Sequence, residues 1–408
     1  MLRRIGGAII LVGLATVITA AIRLPSRVPP PSDQLAAHEW GTFTTVAGED
    51  GRAIEWLPLS GPTDLPCFVE HFQNSNTLKI LPTEDARLID YETARSRLWG
   101  KIRMETPVLY FYGARETAMH VRVRFPRGLI TEWYPHAKLS QLGVTATALR
   151  HPQFSSELDW SGVTLAAATT AFPTEHGKSH YYAARATDAL PLRVGSQSEK
   201  FLFYRGVANF DVPLSARATD GETVELRNLG SEVIPNVVLF ERRGSSLGYR
   251  IGGPLSSTIT LASPLRTSTI ESLHAALEKM LIDAGLYQRE ATAMLETWRD
   301  SWFEDGTRVF YIVPRAAVDA ILPLTITPTP TEIKRVFVGR MDVVTPAVQH
   351  TVEEAIVHKN SDVLERYARF LGPITDRILE NRPRAADAIR SATSAAYASY
   401  VKRASTCE

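Results

Sequence analysis

Three carboxylates sit among side chains that could assist them: Glu39 in His38-Glu39-Trp40, Glu105 in Met104-Glu105-Thr106-Pro107, and Glu132 in Glu132-Trp133-Tyr134-Pro135-His136. Glycoside hydrolysis needs little more than two carboxyl groups about 5–10 Å apart. Glu39, Glu105 and Glu132 are therefore the candidate catalytic residues of a hydrolase. Beside them, Trp40, Trp133 and Tyr134 offer ring faces for a sugar or a peptide. His38 and His136 could exchange protons near neutrality, and Arg205 could grip a carboxylate with two parallel hydrogen bonds. These six form the candidate binding set. The plainer reading of each is packing at a strand edge or a structural ion pair. In an extended strand His38 and Trp40 share one side and Glu39 points to the other, which weakens a joint His–Glu role.

A metal set is thinner. His176 and His180 lie four residues apart, and His71 follows Glu70 close to Cys67. Helical spacing would put the first pair on one face, as zinc sites require, but Gly177 breaks that stretch and no third ligand is near. There is no G-x-S-x-G elbow, phosphate-binding loop, dinucleotide fingerprint or H-E-x-x-H. No cofactor is expected. The two cysteines, Cys67 and Cys407, could form a disulfide if the folded part lies outside the cytoplasm.

The N-terminal segment argues that it does. Arg3 and Arg4 precede an uncharged run, Ile5–Ile22. As a helix that run is about 27 Å long, close to the thickness of a bilayer core. Arginines before it place the N-terminus inside and the rest outside. Residues 1–23 thus read as a single-pass inner-membrane anchor, with the folded part periplasmic. Secretion after signal cleavage is the alternative, since Thr19-Ala20-Ala21 is a passable cleavage site. Residues 24–35 are a proline-rich spacer. The 45 basic and 44 acidic residues of the 408-residue chain give a net charge of +1, which disfavours nucleic acid as a partner.

Two periods organise the rest. Residues 36–262 read mainly as strands. Asp50-Gly51 predicts a hairpin between 42–46 and 53–57. Met119–Phe125 alternates apolar and polar residues like a half-buried strand. Leu214–Thr219 and Thr223–Arg227 flank a second turn, and Tyr91–Leu98 is a short helix among the strands. From Ser268 the spacing becomes helical. Ser268-Thr269-Ile270-Glu271 resembles a capping box, and helices are predicted over about 270–284, 288–303, 361–380 (kinked at Pro373) and 385–403. Thr345-Pro346 opens another. Arg308–Val313, Ile321–Ile326 and Arg335–Gly339 are extended pieces between them. The expected fold is α+β: an antiparallel, β-sandwich-like region over 36–262, then a helix-rich region over 263–408.

His38-Glu39-Trp40-Gly41-Thr42-Phe43-Thr44, Met104–Tyr112 (METPVLYFY) and Glu132-Trp133-Tyr134-Pro135 resemble segments of uncharacterised exported or membrane-anchored bacterial proteins. Thr297-Trp298, Ser301-Trp302-Phe303 and Val336–Arg340 add to the likeness. That resemblance implies an envelope location and carries no activity or catalytic residue. The leading expectation is a non-catalytic binding or structural module of the cell envelope, contacting the membrane through residues 5–22 and an envelope polysaccharide or protein through its folded part. The alternatives are the carboxylate hydrolase and a metal-binding protein.

Overall fold

The computed structural model describes residues 34–61, 65–73, 87–113, 117–166, 170–175, 179–219, 222–381 and 386–402. The expected anchor and most of the spacer lie outside them, as do His176 and Cys407. Among the described residues no helix is long and apolar enough to cross a membrane.

The chain begins with β1 (Ala36–Ala47), β2 (Glu70–His71), α1 (Tyr91–Arg97), β3 (Ile102–Tyr112), β4 (Ala118–Pro126), β5 (Gly128–Tyr134) and β6 (Lys138–Gln141). There follow β7 (Ser155–Leu165), β8 (Leu192–Val194), β9 (Gln197–Glu199), β10 (Leu202–Ala208), β11 (Leu214–Ala218) and β12 (Thr223–Asn228). Next come β13 (Val237–Arg243), β14 (Ser246–Gly252), β15 (Thr258–Ala262), α2 (Ile270–Ala284) and α3 (Gln288–Thr297). The chain closes with β16 (Gly306–Ile312), α4 (Arg315–Ile321), β17 (Leu324–Thr327), β18 (Glu332–Val343), α5 (Pro346–Val357), α6 (Ser361–Arg366), α7 (Leu371–Asn381) and α8 (Ala386–Lys402). It is a mixed α+β fold with several sheets and its helices concentrated in the C-terminal third.

The large sheet runs β14-β13-β16-β18-β1-β3-β10-β5-β2. β1 is central and buried along its whole length. It pairs antiparallel with β3 and parallel with β18, Ala36 opposite Glu332 and Ala47 opposite Val343. β16 and β18 therefore belong to the same sheet as β1, β3, β5, β10 and β13, so the expected seam at 262/263 falls within one sheet. The change of period at Ser268 marks a helical excursion (α2 and α3) from that sheet. Smaller sheets of order β17-β4-β7-β8-β9, with β6 on β7, and β11-β12-β15 complete the strands.

Alternation decides what each face meets. Phe43, Met104, Leu109, Phe111, Leu129 and Phe337 of the large sheet share one core with Val121, Phe125, Leu158 and Trp160 of the β4–β7 sheet and with Leu226 of the small one. In β4, Met119, Val121, Val123 and Phe125 are buried, while His120, Arg122 and Arg124 face outward, as their alternation predicts. The opposite face is covered in part by α2 and α3. Leu273, Leu277, Leu281, Met294 and Trp302 pack there on Trp40, Tyr110 and Phe310. A third core joins α5–α8 to Val46 and Trp56, at the end of the sheet where β1 finishes.

Several local expectations shift. The turn at 48–52 forms, closed by Gly48 N–H on Arg52 carbonyl (2.8 Å), but residues 53–57 make only isolated bridges. Thr269, not Ser268, caps α2 by accepting from Ser272 N–H. α3 stops at Thr297, so Trp298 and Trp302 lie beyond its end with nearly parallel rings, their centroids 6.5 Å apart. The long helix over 361–380 is two, broken by a tight turn at Ala368–Phe370. Pro373 does not kink α7. It is the third residue of that helix, where its missing N–H would have no partner within the helix.

Candidate functional site

The three candidate carboxylates are all interior, and they do not share a face. Glu39 lies on the side of the large sheet that meets the smaller sheets. It accepts from Arg335 Nε (2.5 Å) on the neighbouring β18 and from Tyr204 OH (2.5 Å) on β10. Glu105 and Glu132 lie on the other side. Glu105 accepts from Arg369 Nη1 (2.7 Å), which comes from the turn before α7, and from Thr44 OH (3.2 Å), and it forms an ion pair with Arg103, whose Nε lies 3.0 Å away. Glu132 receives Arg205 through two bonds, Nε–Oε2 (3.0 Å) and Nη2–Oε1 (2.6 Å), with Tyr91 OH (2.6 Å) and the Thr131 hydroxyl. The Glu132–Arg205 pair sits directly across the β5–β10 register.

Electrostatics follow from those partners. Burial raises a carboxyl pKa and adjacent arginines lower it. At Glu132 the arginine and the hydroxyl donors prevail over burial and hold the carboxyl down at about 2. At Glu105, burial is outweighed by Arg369, Arg103 and Arg340, and its carboxyl also lies below the usual range. A general acid needs the reverse, a carboxyl raised toward neutrality. The cluster continues along the same face. Arg340 pairs with Glu304 (3.0 Å) and Asp342 (3.2 Å), and Arg308 pairs with Asp342 (3.2 Å) and caps the Trp302 and Asp305 carbonyls. There burial wins: it pulls the Arg308 guanidinium down and pushes the Asp342 carboxyl up. Sequence reading did not find this network. An arginine in an apolar strand looks like a solvent-facing alternation until the covering turn is known.

The binding candidates disperse. His38 and Trp40 do share a face, as alternation requires, but both are buried under α3. His38 Nδ1 lies 2.9 Å from Glu290, whose carboxylate also accepts from Tyr112 OH (2.8 Å) and the Tyr287 backbone N–H (2.8 Å). With two donors already on the carboxylate, the Nδ1–H tautomer is the one assigned to His38. Its ring stacks on Tyr287 at 4.4 Å. Glu290 was not among the sequence candidates; only its place three residues after Tyr287 hints at a capping role. Trp133 is buried, and Tyr134 packs on Phe68 at 4.8 Å. His136 is exposed and meets Glu70 at 2.9 Å, in a polar cleft with Lys138, Asp159 and Gln197.

The metal candidates also separate. His71 stacks on Tyr91 at 4.3 Å, and His180 pairs with Asp300 at 2.5 Å. Among the described residues no group of three or more His, Cys, Asp or Glu side chains is placed to hold a metal ion. Cys67 is disulfide-bonded; Cys407, the expected partner, lies outside the described residues. Glu175 accepts the backbone N–H groups of Cys67 (2.9 Å) and Phe68 (3.1 Å), tying that loop down.

One open cleft is mainly apolar. It has a volume of about 420 Å³ and lies between the 56–60 segment, the end of α1, and the α7–α8 pair. Trp56, Leu57, Leu371, Leu379 and Ile389 line it, with the half-exposed Trp99 at its mouth. Size and lining fall in the range of small-ligand sites. Nothing in the sequence pointed here, because its walls come from three segments spread over more than 300 residues.

No protein-family profile matches the chain, and no curated protein does. Among solved structures it is similar to a yeast delta-COP-I mu-homology domain complexed with a Dsl1 WxWxV peptide, at 8% identity and a TM-score of 0.28, over 77% of this chain and 99% of that one. A superposition that loose carries no argument about fold or function.

Proposed function

We propose that this chain is a non-catalytic binding module of the cell envelope, of the uncharacterised exported type its HEWGTFT, METPVLYFY and EWYP segments resemble. Residues 5–22 hold it in the inner membrane, with the folded part on the periplasmic side. The packing of the large sheet against two smaller ones supports a sandwich-like reading of the β-rich part. One contrast carries the functional reading: Glu39, Glu105 and Glu132 are each enclosed with an arginine in the interior, while the open, largely apolar cleft beside Trp56 has room for a ligand. A sealed ion pair fixes strands; an accessible apolar hollow recognises something.

The test is calorimetric titration of the full chain with 4-phenylbutanol, a neutral apolar probe that fits a cavity of this size. Binding that disappears in Leu379→Arg, whose side chain would fill the hollow, is expected. Absence of binding in the unmodified protein overturns the assignment. So does turnover of a glycan panel that vanishes in Glu39→Gln, Glu105→Gln or Glu132→Gln. Recovery of the full chain from the soluble cytoplasmic fraction overturns the anchor.

A further inference from the structure

The cleft beside Trp56 has a charge pattern as well as a shape. Asp376 lies on α7 and lines the hollow, exposed on its outer side. Among the described residues it has no hydrogen-bond or ion-pair partner. Partial burial and the nearby Glu380 carboxylate both hold its carboxyl above the ordinary aspartate range. A carboxylate against an apolar wall has lost part of its hydration and gains most from a cation placed beside it.

The neighbouring cations are differently placed. Arg369, at the back of the cleft, is drawn to Glu105 (2.7 Å) and Glu304 (3.6 Å). Arg377, next along α7, reaches Glu49 (3.1 Å) and Glu380 (3.7 Å). Arg390 lines the same cleft from α8; it is exposed, as Asp376 is, and among the described residues the two do not pair with each other. At the mouth, the half-exposed Trp99 presents an indole, and an indole face attracts cations.

We propose that the cleft takes an apolar ligand carrying one cationic amine or guanidinium, with Asp376 as its counter-ion and Trp99 beside it. This rests on the binding-module reading and adds the ligand's charge. β1 starts beside the spacer at Ala36, and Val46 and Trp56 belong to the core at its other end. Twelve extended residues span about 36 Å, so the cleft lies at the end of β1 farthest from Ala36.

Three probes of one shape decide it: 4-phenylbutylamine, 4-phenylbutanol and 4-phenylbutyrate, each titrated calorimetrically into the full chain. The amine should bind about tenfold tighter than the alcohol, and the acid weakest. Asp376→Asn should bring the amine down to the alcohol's affinity and leave the alcohol unchanged. Arg390→Gln should not weaken the amine. If amine and alcohol bind equally and Asp376→Asn changes neither, the charge assignment is overturned while the cleft remains a binding site. Strongest binding of the acid, lost in Arg390→Gln, overturns it as well. If no probe binds, the binding-module reading falls and takes this one with it.

Discussion

Replacing Glu132 by Gln should destabilise the protein sharply at neutral pH and remove a defined part of its acid sensitivity. The carboxylate is almost fully enclosed, gripped twice by Arg205 and capped by Tyr91 and Thr131. Its ordinary value is 4.5 and its folded value about 2. At 1.36 kcal/mol per pH step, that difference is about 3 kcal/mol. The sign follows from the direction. A carboxyl whose pKa is depressed by folding contributes stability that is complete above 4.5 and drains away as pH falls from 4.5 toward 2. In the glutamine variant Arg205 stays buried without its counter-charge, and such losses run to about 3–5 kcal/mol. Urea unfolding followed by tryptophan fluorescence, at steps from pH 7 to pH 2.5, measures both quantities. The gap between parent and variant should be about 3 kcal/mol or more at pH 7 and should narrow below pH 4.5. Glu132→Leu combined with Arg205→Met should recover much of the loss, because an apolar pair of similar volume can replace a buried ion pair. A gap below about 1 kcal/mol at pH 7, or one that stays constant with pH, would refute the reasoning.

Three further outcomes are expected. Gly339→Ala should abolish soluble expression, since a methyl there would lie 2.1 Å from the Tyr311 ring, and Tyr311→Leu in the same chain should restore it by opening that space. Alkaline titration at 295 nm should leave Tyr91, Tyr110, Tyr112, Tyr181, Tyr204 and Tyr311 protonated at pH 11, because burial holds each phenol above the usual value; ionisation of all 13 tyrosines in the folded protein by that pH would contradict the packing. A double-mutant cycle of His38→Phe and Glu290→Leu should show a coupling of about 1–3 kcal/mol, and additive effects would mean that the 2.9 Å contact contributes nothing.

What the sequence disclosed was local. The alternation in Met119–Phe125, the αL-prone Gly285 ending α2 and the Thr345-Pro346 start of α5 are each written in a few neighbouring residues. The opposite orientation of His38 and Glu39 was legible for the same reason. The pairing partners were not. His38 meets Glu290 from 252 residues away, and Glu39 meets Arg335 from 296. No short-range pattern encodes either. The carboxylates looked available because their segments are polar-punctuated strands; the arginines that seal them arrive from β10, β18 and the turn before α7. The cleft was invisible because a hollow depends on how segments fail to fill space. Pro373 misled for a positional reason: a proline breaks a helix in its interior and is tolerated in its first turn.

The parallel pairing of β1 with β18 bears on how the chain can be made. β1 is among the first folded segments to emerge, yet one of its two edges is completed only by Glu332–Val343, after some 300 residues of further synthesis. Until then a buried, largely apolar central strand presents an open row of backbone donors and acceptors, the arrangement most prone to pairing with the wrong chain. Closing so long a loop is slow. A strand so placed makes piecemeal folding from the N-terminus an incomplete route to the native sheet.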